Sequence, residues 1–141
     1  MFLLHPNVWL ERLLDQAGSE EVGRFLGQMP SDQLAITDFA FPSIGIVLTR
    51  LHREEAFRQF VRDLFVEGNV NLIHLEPADM EQLVQLAGQF NLDFDDAYQY
   101  TAAERYDLRI VSFDAHFDRT KRGRKTPRSI LGGVEEGQHG Q

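Results

Sequence analysis

Two stretches decide how this chain is read: Leu92-Asp93-Phe94-Asp95-Asp96-Ala97, and after it Leu108-Arg109-Ile110-Val111-Ser112-Phe113-Asp114. The second is a short run of aliphatic residues that closes on an acid, as a buried strand running into a loop does. The first sets three aspartates within four residues at the head of a helical pattern from Phe94 to Tyr106. Asp93 and Asp96 have N-cap and N3 spacing, where an acid stabilises a helix start by about 0.5–1 kcal/mol. Three acids exceed what capping needs, so one of them is free for another task.

The same alternation of short apolar runs and helical patterns extends outward to both sides. Phe2-Leu3-Leu4, Leu34-Ala35-Ile36-Thr37 and Val70-Asn71-Leu72-Ile73-His74-Leu75 read as further strands. Helices are expected after Asn7 as a cap, from Ser19 toward Pro30, from Ile44 to Leu51, from Glu54 to Phe65, and from Pro77 to Gly88. Strands alternating with helices imply a three-layer α/β domain, with a parallel sheet of four or five strands flanked by helices. The strands are short and mainly apolar, as strands covered on both faces should be. Past Phe117 the pattern fades, so the expected limits are a domain over residues 1–128 and a flexible C-terminal tail over 129–141.

Composition fits one globular domain: 141 residues, 43% hydrophobic and 26% charged. No apolar run approaches the ~20 residues of a membrane span. Met1-Phe2-Leu3-Leu4 stops at His5-Pro6 without a basic start or a cleavage site, so it is not a signal peptide. There is no cysteine, which removes disulfides, thiolate metal sites and cysteine nucleophiles. These features lead to the expectation of a cytoplasmic protein with no membrane partner. The net charge of −8 argues against nucleic acid. Its distribution argues otherwise, because six of the 14 basic residues fall between Arg119 and Arg128, namely Arg119, Lys121, Arg122, Arg124, Lys125 and Arg128. That stretch reads either as a solvated tail or as a basic arm meeting phosphates beside an acidic site.

In a parallel sheet of this kind the functional crevice lies beyond the carboxyl ends of the strands. His5 follows the first strand, Asp38 the second and Asp114 the fourth, while Asp93, Asp95 and Asp96 open the helix leading into the fourth. Carboxylates gathered at one edge repel, and a hard divalent cation relieves that repulsion. Such an ion activates water and offsets developing charge in phosphodiester hydrolysis. Each residue also has a structural reading. Asp38 serves as a helix cap, Asp114 as a turn residue, and His5 as a ligand, a general base or a hydrogen-bonded core histidine. Walker-type phosphate loops, serine-nucleophile elbows and dinucleotide fingerprints are absent from the sequence.

From Phe2 to about Pro127 the chain resembles PIN-domain proteins of the VapC toxin type from bacterial toxin–antitoxin pairs. The likeness rests on Asp96-Ala97 opening a helix, on the strand that ends at Asp114 before Phe117, and on Leu4-His5-Pro6-Asn7-Val8-Trp9-Leu10 at the amino-terminal strand and helix start. It implies a PIN-like, Rossmann-like fold and Mg²⁺- or Mn²⁺-dependent cleavage of RNA by a homodimer, held in check by a cognate antitoxin. The metal and catalytic residues it implies are Asp96 and Asp114, with Asp38 as the third acid and His5, Asn7 and Asp95 as further candidates. Arg119, Lys121, Arg122, Arg124 and Lys125 would hold the RNA. The chain departs from the family at two places. The family's first motif, aspartate-threonine-asparagine, reads His5-Pro6-Asn7 here, and its second acidic position, usually glutamate, falls in strict register on Ser43. Asp38 lies five residues earlier. The first departure opens an alternative, a catalytically impaired PIN module that binds RNA or protein.

Overall fold

The computed structural model describes residues 1–132. Strands β1 (Phe2–Leu4), β2 (Leu34–Thr37), β3 (Asn71–Ile73) and β4 (Arg109–Val111) form one sheet in the order β3-β2-β1-β4, every pair parallel. The expected four-stranded parallel architecture is therefore present, with β1 inside the sheet. Helices α1 (Pro6–Leu13), α2 (Ser19–Gln28), α3 (Ala40–Arg50) and α4 (Glu54–Val61) contribute to one core, and α5 (Met80–Phe90) and α6 (Phe94–Tyr106) to the other.

Strand pleating divides the apolar side chains between the two cores. Leu4, Ile36 and Val111 point to the first four helices, and Leu3, Ala35 and Ile110 to α5 and α6. Full burial of one such large aliphatic side chain contributes about 1.5–3 kcal/mol. Because both faces are covered, β2 is buried at all four positions and needs no polar alternation.

Several boundaries differ from the expected ones, each for a local reason. The N-cap of α1 is His5 rather than Asn7. Pro6 takes the first helical position, and His5 Nδ1 accepts the Asn7 backbone N–H at 3.2 Å. Helix α3 begins at Ala40, ahead of Ile44. Pro42 lies in its first turn, where a backbone N–H has no helical partner to lose. The Thr37 hydroxyl accepts the Ala40 N–H at 2.9 Å. Helix α4 stops at Val61 and widens into a π-turn over Arg62–Val66. Gly68 follows, where an added Cβ would collide with the Asp63 carbonyl oxygen.

The segment beyond Phe117 is built into the domain. Lys125 bridges to Val111 beside β4, its N–H donating to Ile110 O at 2.7 Å and its carbonyl accepting from Ser112 N at 3.0 Å. Residues 127–132 are helical and Leu131 is buried in the first core, past the expected limit at 128. The remainder of the expected tail, 133–141, lies outside the described residues. Among the described residues no helix is long and apolar enough to cross a membrane.

Candidate functional site

A cleft of about 310 Å³ opens beyond the carboxyl ends of β1 and β4, against the first turns of α6. Its wall includes His5, Ser43, Asp93, Asp95, Asp96, Gln99, Asp114 and His116.

Asp96 sits at its centre and is only 5% exposed. Asp93 caps α6 by accepting the Asp96 N–H at 2.9 Å, which fixes the turn that carries the Asp96 side chain inward. Asp96 Oδ1 meets His5 Nε2 at 3.2 Å, and Oδ2 lies 3.6 Å from His116 Nδ1. The Asn7 N–H occupies His5 Nδ1, so it is the Nε2–H of the ring that donates to Asp96. Burial drives the Asp96 carboxyl pKa upward. The His5 hydrogen bond, the Coulombic pull of the same ring, and bonds to His116 and Asp114 outweigh burial and leave the pKa below its ordinary value. Asp96 is thus kept ionised in a nearly dry wall.

Asp114 leaves β4 through Ser112, whose hydroxyl accepts the Asp114 N–H at 2.9 Å. Its Oδ1 caps the short 3₁₀ turn Ala115–Arg119, accepting His116 N–H at 2.8 Å, and lies 3.2 Å from His116 Nδ1. Asn7 latches this exit from the opposite side. Its Nδ2 donates to Ser112 Oγ and its Oδ1 accepts from Phe113 N, each at 3.3 Å. Phe117 meets the His5 ring edge-on at 5.7 Å and backs the wall.

Asp96, Asp114 and His116 each offer a ligand atom, all within 4.8 Å of one another. Two carboxylates and an imidazole suit a divalent cation. The wall also holds a polar atom in need of a partner. Gln99 is 1% exposed, its Nε2 donates to Thr37 Oγ1 at 2.9 Å, and its Oε1 has no hydrogen bond. The residues present therefore fit a divalent ion.

Of the residues expected at the site, Asp96, Asp114, His5 and Asp95 share the cleft wall, and Asn7 stands behind it. Asp38 is placed elsewhere. It is not on the wall, and its carboxylate accepts the Tyr98 hydroxyl at 2.6 Å. Burial first, then donation to Asp38, raises the Tyr98 pKa to about 12. Ser43 lines the cleft and donates to Phe39 O at 2.8 Å. The arginines of the basic stretch are engaged in holding the domain together. Arg122 binds Glu104, Asp107 and the Leu108 carbonyl; Arg124 binds Asp118; Arg119 binds the Asn91 carbonyl; Arg128 pairs with Glu21. Lys121 and Lys125 are exposed. Sequence reasoning missed Gln99 as a wall residue, and of His116 it saw only that this histidine lies near the candidate site. The signal for His116 was its position two residues after Asp114. Gln99 stands in a helix that is buried from Asp96 through Ala103, where an amide has to be matched or waiting for a ligand.

Comparison with known proteins agrees with this fold. No curated protein matches the chain in sequence. Among solved structures it is similar to a toxin–antitoxin complex from Klebsiella pneumoniae, at 19% identity and TM-score 0.72, covering 90% of this chain and 98% of that one. It is similar to FitAcB of Neisseria gonorrhoeae, at 22% identity and TM-score 0.67, covering 91% and 99%. VapC20 of Mycobacterium tuberculosis, a sarcin–ricin loop cleaving toxin, aligns at 13% identity and TM-score 0.68, covering 81% and 90%. A family model for the PIN domain matches residues 4–123, a span that takes in the whole cleft wall, and the chain belongs to the PIN domain family.

Proposed function

We propose that this protein is a divalent-metal-dependent endoribonuclease of the VapC toxin type, acting in the cytoplasm on RNA phosphodiester bonds. The observation that carries the reading is the meeting of Asp96 and Asp114 with an imidazole in one cleft at the strand ends. Mg²⁺ or Mn²⁺ held there would activate water and offset the charge of the phosphate. Asp96 provides the buried carboxylate, kept ionised by His5, and Asp114 the more open one. Ser112 and Asn7 orient Asp114 by fixing the β4 exit. Lys121 and Lys125 supply the positive charge for the RNA backbone, while Arg119, Arg122 and Arg124 shape the segment that carries them. The similar Klebsiella pneumoniae structure, described as a toxin–antitoxin complex, supports an antitoxin partner, and the VapC resemblance supports a homodimer.

The test is cleavage of a mixed RNA by the purified chain with Mg²⁺, Mn²⁺ or chelator, beside Asp96→Asn and Asp114→Asn. Metal-dependent cleavage that both substitutions abolish supports the proposal, and equal cleavage by all three proteins defeats it. A second reading rests on one observation: the position of the family's first aspartate is held by His5, whose N–H already occupies Asp96 Oδ1. RNA binding without cleavage under any metal would favour that reading, a binding module.

A further inference from the structure

We propose that the aromatic ledge formed by Phe39 and Phe94 at the border of the cleft is a stacking subsite for an unpaired nucleobase of the RNA. This rests on the reading above that the cleft acts on RNA, and it adds which residues grip the strand by its bases.

Phe94 is the first residue of α6 and is 52% exposed. A lone exposed apolar side chain is ordinary, but this one is joined to the cleft. Its ring centre lies 6.0 Å from that of Phe39, which is itself part of the cleft wall. Phe39 in turn stacks on Tyr98, with centres 5.2 Å apart and planes 28° apart. Tyr98 is anchored from behind, its hydroxyl donating to Asp38 at 2.6 Å and accepting the Leu75 N–H at 3.2 Å. The ledge is therefore a braced stack whose outermost ring is half open. Phe94 stands at 55° to Phe39, so its face is not spent on its neighbour. A preset ring accepts a base of any identity, because every base has a π-face.

Charge favours a base over a phosphate at this spot. Asp93 and Asp95 flank Phe94 in the chain and share the cleft wall. They repel phosphate, whereas the edge of a base offers N–H donors that carboxylates accept. The whole chain carries a net charge of −8, and Arg119, Arg122 and Arg124 are already bound by acceptors of the domain itself. Counterion release thus supplies only part of the affinity for RNA, and contacts to bases have to supply the rest.

Gln99 gives an independent pointer to a ligand. It follows Tyr98 in α6, lines the same wall and is 1% exposed, and its Oε1 has no hydrogen bond. An acceptor left open beside the ledge suits an N–H or O–H arriving with a base or ribose.

Binding of a fluorescein-labelled single-stranded RNA of mixed sequence to the full chain is followed by anisotropy, with chelator present to hold off cleavage. Phe94→Ala is expected to weaken binding by about 5–150-fold, the range for losing one stacked base. Phe94→Trp should stay within about threefold of wild type, and Phe94→Leu, apolar but without a π-face, should resemble Phe94→Ala. The loss should be the same at about 50 and 200 mM salt, because stacking releases no counterions. Val84→Ala, at another exposed apolar residue, should bind like wild type. A series of RNAs with one abasic site each, moved along the strand, needs no variant. One position should weaken wild type by the same factor and leave Phe94→Ala unchanged. Equal affinity of wild type and Phe94→Ala overturns the inference, as does a wild type indifferent to every abasic site. If Phe94→Ala binds like wild type while cleavage still needs metal and Asp96, the nuclease reading stands and this inference falls. If Phe94→Ala leaves RNA binding intact but turns a dimer into a monomer in sedimentation, the ledge is a contact between copies and the inference falls. If the chain neither binds nor cleaves RNA, both readings fall together.

Discussion

A cavity of about 570 Å³ lies between α1, α2 and α4 and exceeds the 310 Å³ of the cleft at the strand ends. Trp9, Leu26, Phe60, Leu64 and Val70 line it, with Arg12 and Asp63 among its polar groups. The contrast separates two causes of empty space. The cavity lies where the mainly apolar side chains of α1, α2 and α4 face one another. The cleft exists because β1, β4 and the start of α6 end at one edge and deliver side chains of one chemistry there. Volume therefore ranks the two in the opposite order from reactivity. Convergent titratable groups mark the candidate site here, and size alone would have pointed to the other hollow.

Substitutions on the two sides should behave as independently as the contrast implies. Phe60→Ala, on the cavity wall and in the core, should lower stability by about 3–5 kcal/mol in urea unfolding. The metal affinity of the molecules that remain folded should be unchanged, and a parallel loss would show that the two hollows are coupled. Asp96→Asn should do the reverse, with at least a hundredfold loss of cleavage and a native circular dichroism spectrum.

His5→Ala should cost about 1–3 kcal/mol at neutral pH, because a buried carboxylate loses its principal donor. Its pH dependence carries a sign. Asp96 has a folded pKa below its ordinary 3.8, so it contributes stability that is fully present above that value and is lost as pH falls through the folded one. His5 provides the two largest influences that lower it, and burial acts upward. Acid unfolding of the variant, followed by melting temperature from pH 7 to pH 2, should therefore begin at a higher pH than in wild type. The smallest effect belongs to the cavity. Trp9 Nε1 is buried without an acceptor, so Trp9→Phe should change stability by less than about 1.5 kcal/mol. A loss of 3 kcal/mol or more would mean that the indole N–H has a partner.

The strands were legible because a strand covered on both faces is apolar at every position, and β2 is buried at all four. Asp96 and Asp114 were legible because each follows or opens an element at the functional edge. Other parts depended on partners far away in sequence. Composition makes residues 119–128 look like a loose basic arm, yet Arg122 is neutralised by Glu104 and Asp107, and Lys125 sits beside β4. Asp38 stands at a strand end as expected, but the hydroxyl that occupies it comes from Tyr98 in α6. The N-cap role of His5 could have been read from Pro6 alone, since proline favours the first helical position.

The pairing of Phe2 with Arg109 has a consequence for the making of the protein. Of the four strands described, the first in the chain is an interior strand, and one of its two neighbours is the fourth. At about 5–20 residues per second, synthesis needs roughly 5–20 s to pass from β1 to β4. During that interval the edge of β1 that will meet β4 is unpaired, and His5 has neither Asp96 nor Asp114 beside it. A nascent chain lacking its last strand thus carries no assembled cleft. The order of translation itself delays whatever chemistry the cleft performs until the chain has passed residue 114.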